Sequence, residues 1–183
     1  MITVGIDEVG RGSWAGPLVA AAVVLDGSIA GLKDSKKLSR IQRQRLSNSV
    51  ANKASAIGIG WVSSNEIDNL GLTLAVGKAM RRALDQIKLN IDEIIIDGNY
   101  NYLSDNTKSK CLVSADVLID CVSAASIIAK VARDKYMVEI DKKYPNYGFA
   151  KHVGYGTMLH RQQLKIHGLS KLHRLSFKPM QLM

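Results

Sequence analysis

Two apolar runs near the N-terminus constrain the fold most. Residues 2–9 and 17–25 are rich in isoleucine, valine, leucine and alanine, and a short stretch containing glycine, serine and proline separates them. Such runs, bounded by turn-forming residues, predict two sequential strands, and the short connection favours an antiparallel pair. The chain therefore opens with the first two strands of a sheet.

Later segments carry both helical and extended patterns. Ser39 is a candidate N-cap, apolar residues recur at helical spacing from Leu72 onward, and Pro145 ends the longest helical pattern. The patterns predict helices over 40–53, 72–87, 123–144 and 158–167, and strands over 57–62, 93–96 and 111–113. We find no repeat or linker in the 183 residues. We predict one α/β domain over 1–183, a mixed five-stranded sheet flanked by helices, with a small C-terminal helical region over about 145–183.

Charge points to a polyanionic partner. The chain has 25 lysines and arginines against 16 acids, a formal net charge of +9. A basic surface of this kind suits nucleic acid, although a merely basic soluble protein remains the alternative. Cys111 and Cys121 have no metal-type spacing, so we expect them to be reduced and buried. The aliphatic run 18–25 is too short to cross a bilayer, and no signal peptide precedes it; we expect a soluble, cytoplasmic protein.

Four acids stand at predicted strand ends. Asp7 and Glu8 end the first strand, Asp97 follows the strand over 93–96, and Asp116 lies just beyond the strand over 111–113. Sites form outside strand ends in such sheets, so these side chains are expected to converge. Close carboxylates would raise one another's pKa values unless a cation neutralised them. Taken singly, simpler interpretations are favoured: Asp97-Gly98 as a turn, Glu8 as a solvated strand end and Asp116 as a helix cap. The case for a site rests on the acids together.

Converging carboxylates suit hard divalent ions such as Mn²⁺ or Mg²⁺. Two ions about 4 Å apart could activate a water and stabilise the leaving oxygen of an in-line displacement. The acids therefore indicate phosphodiester chemistry that needs no catalytic serine or histidine.

The segment Gly10-Arg11-Gly12 follows directly after the acids Asp7 and Glu8. With Ala15 it satisfies the dinucleotide-binding pattern G-x-G-x-x-A, but that motif must open a helix, and here an apolar strand pattern follows. We expect backbone amides that approach a sugar or phosphate, with Arg11 as an anion contact; the alternative is a tight turn.

Basic and aromatic residues elsewhere could contact a nucleic-acid backbone. Positive charge is available from Lys36, Lys37, Lys130, Arg133, Lys171, His173, Arg174 and Lys178. The aromatic residues that could stack on sugars or bases are Tyr144, Tyr147, Phe149 and Tyr155, with a packed loop as the alternative. The four histidines show no zinc-type pairing, so we expect them to be structural or phosphate-contacting.

Asp134 is a different kind of candidate. It lies on the helical stripe Ile127, Val131, Asp134, Val138 and should point toward the core or a cleft. A carboxylate there needs a partner. The interpretation stays open between a buried pair with an arginine or backbone donors and a place close to the metal, and Ser126 is a further candidate for that outer position.

The chain resembles ribonuclease HII, the type 2 ribonuclease H family. The matching segments run in family order along nearly the whole chain: Gly5-Ile6-Asp7-Glu8-Val9-Gly10-Arg11-Gly12, Gly16-Pro17-Leu18-Val19-Ala20-Ala21-Ala22-Val23, Asp34-Ser35-Lys36-Lys37-Leu38, Ile96-Asp97-Gly98, Ser123-Ala124-Ala125-Ser126-Ile127-Ile128-Ala129-Lys130-Val131 with Arg133-Asp134, Tyr147-Gly148-Phe149 and Gly154-Tyr155-Gly156-Thr157.

The resemblance implies a ribonuclease H-like fold and endonucleolytic hydrolysis of RNA in RNA–DNA hybrids. It also implies nicking 5′ of single ribonucleotides embedded in duplex DNA, with 3′-hydroxyl and 5′-phosphate ends. The family's metal-binding carboxylates map onto Asp7, Glu8, Asp97 and, by its spacing before the Ala124-Ala125-Ser126 block, Asp116. The Gly-Arg-Gly loop would read the 2′-hydroxyl, Tyr155 would stack on the neighbouring sugar, and Lys36 would contact the substrate.

Two departures from the family pattern stand out. Ser114-Ala115 precedes Asp116 where members often have a lysine two places before the acid, and the chain ends soon after Phe177-Lys178-Pro179, without an extended C-terminal substrate-binding region. We expect a monomer. The segment 175–183 could dock on a sliding clamp, although a tail packed on the body is the simpler expectation.

Two other functions fit the sequence less well. A nucleic-acid-binding module with a degenerate site should have lost at least one acid, and none is missing. A phosphotransferase should carry a Walker-type phosphate loop, and the sequence has none.

Overall fold

The computed structural model describes residues 1–32 and 38–182. Five strands form one sheet: β1 Thr3–Val9, β2 Leu18–Leu25, β3 Ala54–Val62, β4 Glu93–Asp97 and β5 Ser109–Leu112. Within the described residues the helices are α1 Arg40–Lys53, α2 Ser64–Leu70, α3 Leu72–Leu84, α4 Ala115–Leu118, α5 Asp120–Asp141, α6 Phe149–His152, α7 Met158–His167 and α8 Lys178–Gln181.

The sheet is mixed and has the strand order β3-β2-β1-β4-β5. β2 pairs antiparallel with both β1 and β3, whereas β4 pairs parallel with both β1 and β5. The predicted mixed five-stranded sheet and its antiparallel opening pair are confirmed. Because β1 and β4 are parallel neighbours, their carboxyl ends reach the same edge of the sheet, and Ile6 pairs there with Ile96.

Each face of the sheet has its own core. Val4, Ile6 and Ile94 pack against α3 on one face, and Val19, Ala21 and Val23 pack toward α1 and α5 on the other. This division follows from the alternation of side chains along a strand. Gly5 allows α5 to lie directly on β1, because a Cβ at that position would overlap the backbone of Cys121 and Val122.

Some helix boundaries agree with the predicted ones and others differ. Helix α1 begins at the predicted residue, where Ser39 and Gln42 form a capping box. Helix α3 ends at Leu84 instead of residue 87, and α5 runs over Asp120–Asp141 instead of 123–144. Pro145 disfavours helix at the residue before it, so α5 ends upstream of it. No bounds were predicted for α2, which a second capping box at Ser63 starts.

A third cluster of apolar side chains lies in the C-terminal region. Met137, Phe149, Leu164 and Met180 are its buried members, together with Ala15 and Tyr147. The cluster joins α5 to α6, α7 and α8 and reaches the loop after β1, so the helical region is packed against the body of the protein. No helix in the described chain combines the length and apolar character needed to cross a membrane.

Candidate active site

Three of the four predicted acids meet at the edge of the sheet. Asp7 lies on β1, Asp97 ends β4, and Asp116 lies in α4 just after β5. Each offers a carboxylate oxygen, and these oxygens lie within 4.8 Å of one another. The backbone N–H of Asp116 also donates to Asp97 Oδ1 at 3.3 Å. The convergence follows from the parallel order β1-β4-β5, which brings three strand ends together.

Glu8 lies outside this group of three. Its charge nevertheless acts on Asp7, and that of Asp97 acts on it, so its carboxylate lies near the group. One of its oxygens accepts from Arg11 Nη1 at 3.2 Å. The other, Oε2, is buried and has no hydrogen-bond partner among residues 1–32 and 38–182. An orphaned buried carboxylate oxygen is a position that a cation would satisfy.

The electrostatics of Asp7 are those of a site that requires a cation. Burial, followed by the charge of Glu8, raises the pKa of Asp7 from 3.8 to about 8, although a hydrogen bond from the Ser126 side chain opposes the rise. Burial likewise raises the pKa of Glu8, against the effect of Arg11. The Asp7 and Glu8 carboxyl groups therefore resist ionisation, and the donor set of buried carboxylate oxygens fits a hard divalent ion.

Ser126 and Asp134 have different surroundings. Ser126 on α5 hydrogen-bonds to the Asp7 side chain and so lies next to the group of three aspartates. Asp134 lies farther along α5, where Oδ1 accepts from Lys130 Nζ at 2.8 Å. It lines a cavity of about 250 Å³ between α1 and α5 with Arg40 and Arg43. Asp134 thus has a lysine as its partner, and the described carboxylate cluster does not include it.

The Gly-Arg-Gly loop lies against the C-terminal region. Gly10 has a positive φ of 91°, and a Cβ there would overlap the side chain of Arg133. The backbone N–H of Trp14 donates to Gly154 O at 2.8 Å, which places the loop beside Tyr155. Arg11 is exposed and lies 5.7 Å over the Tyr102 ring, while a Cβ at Gly12 would meet nothing within 4 Å. The loop therefore presents exposed backbone at Arg11 and Gly12, next to a half-buried tyrosine.

Two of the predicted backbone-contacting cations are instead internal. Arg133 is fully buried and donates from Nε to Pro17 O, from Nη1 to Val153 O and from Nη2 to Ala15 O. Arg174 is also fully buried and donates to Gly16 O and Arg11 O. The expectation of phosphate contacts was wrong for both, because irregular backbone in the interior leaves carbonyl groups that need donors.

Other predicted contacts divide between surface and interior. His173 is buried, whereas Lys171 and Lys178 are exposed and Lys130 pairs with Asp134. Tyr147 and Phe149 stack with ring centroids 5.3 Å apart inside the C-terminal cluster, so the packed-loop alternative holds for them. Lys36 and Lys37 lie outside the described residues. Cys121 is buried as expected, but Cys111 is only half-buried.

The sequence did not predict the buried arginines and histidines that support the Gly-Arg-Gly loop. Arg133 and Arg174 were noticed only as charges, and no pattern distinguished buried arginines from exposed ones. The histidines were noticed for lacking zinc-type spacing, and His173 also as a positive charge in the tail.

Comparison with known proteins identifies the family. The family model described as Ribonuclease HII matches residues 4–180. The chain belongs to the ribonuclease HII family. Ribonuclease HII of Dichelobacter nodosus is 44% identical over 178 residues, covering 96% of this chain and 93% of the relative. Ribonuclease HII of Francisella philomiragia is 43% identical over 189 residues, covering 100% of both.

Solved structures of ribonucleases H share the fold. A ribonuclease H2 from Pyrococcus horikoshii has a TM-score of 0.85 at 26% identity, covering 100% of this chain and 96% of that one. RNase HII of Archaeoglobus fulgidus, solved in a complex with PCNA, has a TM-score of 0.84 at 25% identity, covering 97% and 96%. Bst-RNase HIII in complex with Mn²⁺ has a TM-score of 0.77 at 21% identity, covering 99% and 68%.

Membership of the ribonuclease HII family establishes the activity in outline. The protein is an endonuclease of the ribonuclease H class that hydrolyses RNA in RNA–DNA hybrids. Its cluster of three aspartates is consistent with the divalent metal that such enzymes use.

Proposed function

We propose that this ribonuclease HII nicks duplex DNA on the 5′ side of a single embedded ribonucleotide as well as cleaving longer hybrids, leaving 3′-hydroxyl and 5′-phosphate ends. The observation that carries the proposal is the position of the Asp7, Asp97 and Asp116 carboxylates beside a loop of open backbone. A single embedded ribonucleotide differs from the surrounding DNA by one 2′-hydroxyl, so the protein group that recognises this hydroxyl must lie close to the carboxylates.

The carboxylates would hold two divalent ions, Mn²⁺ or Mg²⁺. The assigned ligands are Asp7, Glu8, Asp97 and Asp116; the orphaned Oε2 of Glu8 supports its inclusion although it lies outside the group of three. Bound divalent ions lower the pKa of water and neutralise charge on a displaced oxygen. Ser126 holds the Asp7 carboxylate in place through its hydrogen bond. For Asp134, its pairing with Lys130 supports a structural role.

The loop and the tyrosine would recognise the ribonucleotide. The amides of Gly10, Arg11 and Gly12 are assigned to the 2′-hydroxyl, because the loop directly follows the strand that carries Asp7 and its Arg11 side chain donates to Glu8 Oε1 at 3.2 Å. Tyr155 is half-buried beside this loop and would stack on the neighbouring sugar. This proposal gives the helical region over about 145–183 its function in substrate binding. Lys36 remains a further candidate for contact with the substrate.

We also infer that the enzyme acts as a monomer, since one chain supplies all four acids. The PCNA complex of the Archaeoglobus relative supports a sliding clamp as a partner. In this chain, however, the backbone N–H groups of Leu175 and Ser176 donate to Asp68, each at 2.9 Å, and Met180 is buried. A clamp that used residues 175–183 would have to displace these contacts.

The decisive experiment maps cleavage of a duplex with one ribonucleotide. Wild-type protein, Asp97→Asn and the control Asp105→Asn are incubated with Mg²⁺, Mn²⁺ or EDTA, and an all-DNA duplex serves as the second control. Asp105 is a suitable control because it pairs with Arg81 on the exposed surface. We expect a single 5′ nick from wild type and Asp105→Asn, and none from Asp97→Asn, which should still bind. Nicking by Asp97→Asn near the wild-type rate would remove the basis for the assigned roles.

A further inference from the structure

Three histidines form a buried cluster in the C-terminal region. His152 and His160 stack with centroids 4.3 Å apart and an interplanar angle of 14°. His160 Nε2 lies 3.0 Å from His173 Nε2. All three are at least 94% buried, since their exposed fractions are 6%, 0% and 2%. None of the three belongs to the described carboxylate cluster.

The backbone determines which nitrogen carries each proton. The Ser170 N–H donates to His173 Nδ1 at 2.9 Å, a shorter contact than the 3.3 Å between this nitrogen and Ser170 O, so we place the proton of His173 on Nε2. At the other end, His160 Nδ1 lies 3.0 Å from Tyr155 O, a carbonyl that can only accept. His160 therefore donates from Nδ1 and accepts at Nε2 from His173. Both ends require the same direction of donation, from Ser170 to His173, to His160 and to the Tyr155 carbonyl.

The surroundings keep this chain of hydrogen bonds neutral. Burial lowers the pKa of His160 and of His173 to about 4. The groups that face the pair are His152 over His160 and Tyr147, whose ring lies 5.3 Å from His173. Asp141 acts on His152, and Arg161 lies over the Trp14 ring that contacts His160. At neutral pH both histidines are uncharged, and the direction of donation is constant.

The same series of hydrogen bonds connects the segment that carries Tyr155 with the loop after β1. It ends at the Tyr155 carbonyl on one side, and on the other side His173 forms an isolated β-bridge with Ala15 of that loop. The Trp14 ring lies 5.7 Å from the His160 ring. The two segments are therefore joined twice, directly by the hydrogen bond from Trp14 N–H to Gly154 O and also through His160 and His173.

We propose that His160 and His173 are positioning residues, which hold Tyr155 at the correct place against the Gly-Arg-Gly loop through their directed hydrogen bonds. The proposal rests on the proposed contact of Tyr155 with the sugar. The histidines touch no substrate and take no part in proton transfer. Their effect on cleavage must therefore pass through the tyrosine.

A double-mutant cycle tests this dependence. His160→Phe keeps a ring over His152 but removes the donor to Tyr155, whereas His160→Asn retains an N–H near the position of Nδ1. Each is combined with Tyr155→Ala, which keeps the backbone carbonyl. The readout is kcat/KM for nicking at one ribonucleotide in saturating Mg²⁺, with thermal unfolding to verify folding. His167→Phe is the control, because His167 is exposed and outside the chain of hydrogen bonds.

We expect His160→Phe to lose about tenfold in kcat/KM, His160→Asn to recover most of the loss, and His167→Phe to match wild type. In the Tyr155→Ala background, His160→Phe should cost less than about twofold. If His160→Phe does not fold, His173→Asn gives the same test, because it still accepts from Ser170 but no longer donates to His160.

Two results would overturn the positioning role: full activity of His160→Phe, or a tenfold loss that persists when Tyr155 is already alanine. Wild-type activity of Tyr155→Ala would also overturn it, by removing the residue through which the histidines act. A wild-type protein that fails to nick the ribonucleotide is a separate outcome, which refutes the proposed function first.

Discussion

Replacing Asp7 with asparagine should stabilise the metal-free protein while abolishing cleavage. The folded, metal-free state holds the pKa of Asp7 at about 8 against an ordinary value of 3.8. At pH 7 the unfolded chain ionises this carboxyl freely, but the folded protein does not. The folded state therefore loses about 1.36 kcal/mol for each pH unit above the ordinary pKa, or about 4 kcal/mol at pH 7.

Asparagine removes this penalty and retains the local hydrogen bonds. Its carbonyl oxygen can accept from the Glu8 N–H, which donates to Asp7 Oδ1 at 2.7 Å, and its amide can donate to the neighbouring carboxylates. We expect the free energy of unfolding of Asp7→Asn, in EDTA at pH 7, to exceed that of wild type by about 2–4 kcal/mol. Each kcal/mol should raise Tm by about 2–4 °C. The gain should disappear as the pH falls from 7 toward 4, because the wild-type carboxyl then stays protonated in both states.

Urea unfolding in EDTA, at several pH values and with added Mg²⁺ or Mn²⁺, measures the effect. Metal should stabilise wild type, since it binds the folded state, and should stabilise Asp7→Asn far less. Asp105→Asn should respond to metal as wild type does. Two results would contradict this explanation: Asp7→Asn is no more stable than wild type in EDTA at pH 7, or metal stabilises it as much as wild type. Either would mean that burial does not disfavour the ionised Asp7 carboxylate in the metal-free protein.

Other predictions concern the loop glycines, a buried arginine and the buried histidines near the site. Gly10→Ala should destabilise the fold by about 2 kcal/mol or more in urea unfolding, since its φ is positive and its Cβ would overlap a buried arginine, whereas Gly12→Ala should unfold like wild type and weaken only substrate binding. Arg174→Met should cost about 3–5 kcal/mol by leaving buried carbonyls unpaired, and lysine at that position should recover only part in the same assay. His160 and His173 have folded pKa values of about 4, below the ordinary 6.5, so stability should be complete above pH 6.5 and fall as the pH drops toward 4. A flat stability profile over that pH window would contradict their neutral burial.

Local chemistry in the sequence determined the opening strands, the start of α1 and the positions of the acids. The strand pattern of β1 and β2 depends on neighbouring residues, and the Ser39 cap depends on a residue three places away. Asp7 and Asp97 could be expected at one edge of the sheet because each ends an apolar strand. Asp116 and Tyr155 were candidates from the strand end and from the aromatic segment. The family resemblance gave their expected roles, because spacing alone would not have distinguished them from a helix cap and a packed aromatic residue.

Tertiary structure alone decided which similar residues serve which purpose. Arg174 donates to a carbonyl 158 residues away and Arg133 to one 118 residues away, so no local pattern could separate them from the exposed cations. Tyr147 lies in a core while Tyr155 lies beside the loop, although both occur in one short aromatic segment. Glu8 lies outside the group of three aspartates, although it is the next residue after Asp7. Partners far apart in sequence are set by packing, and packing depends on the whole chain.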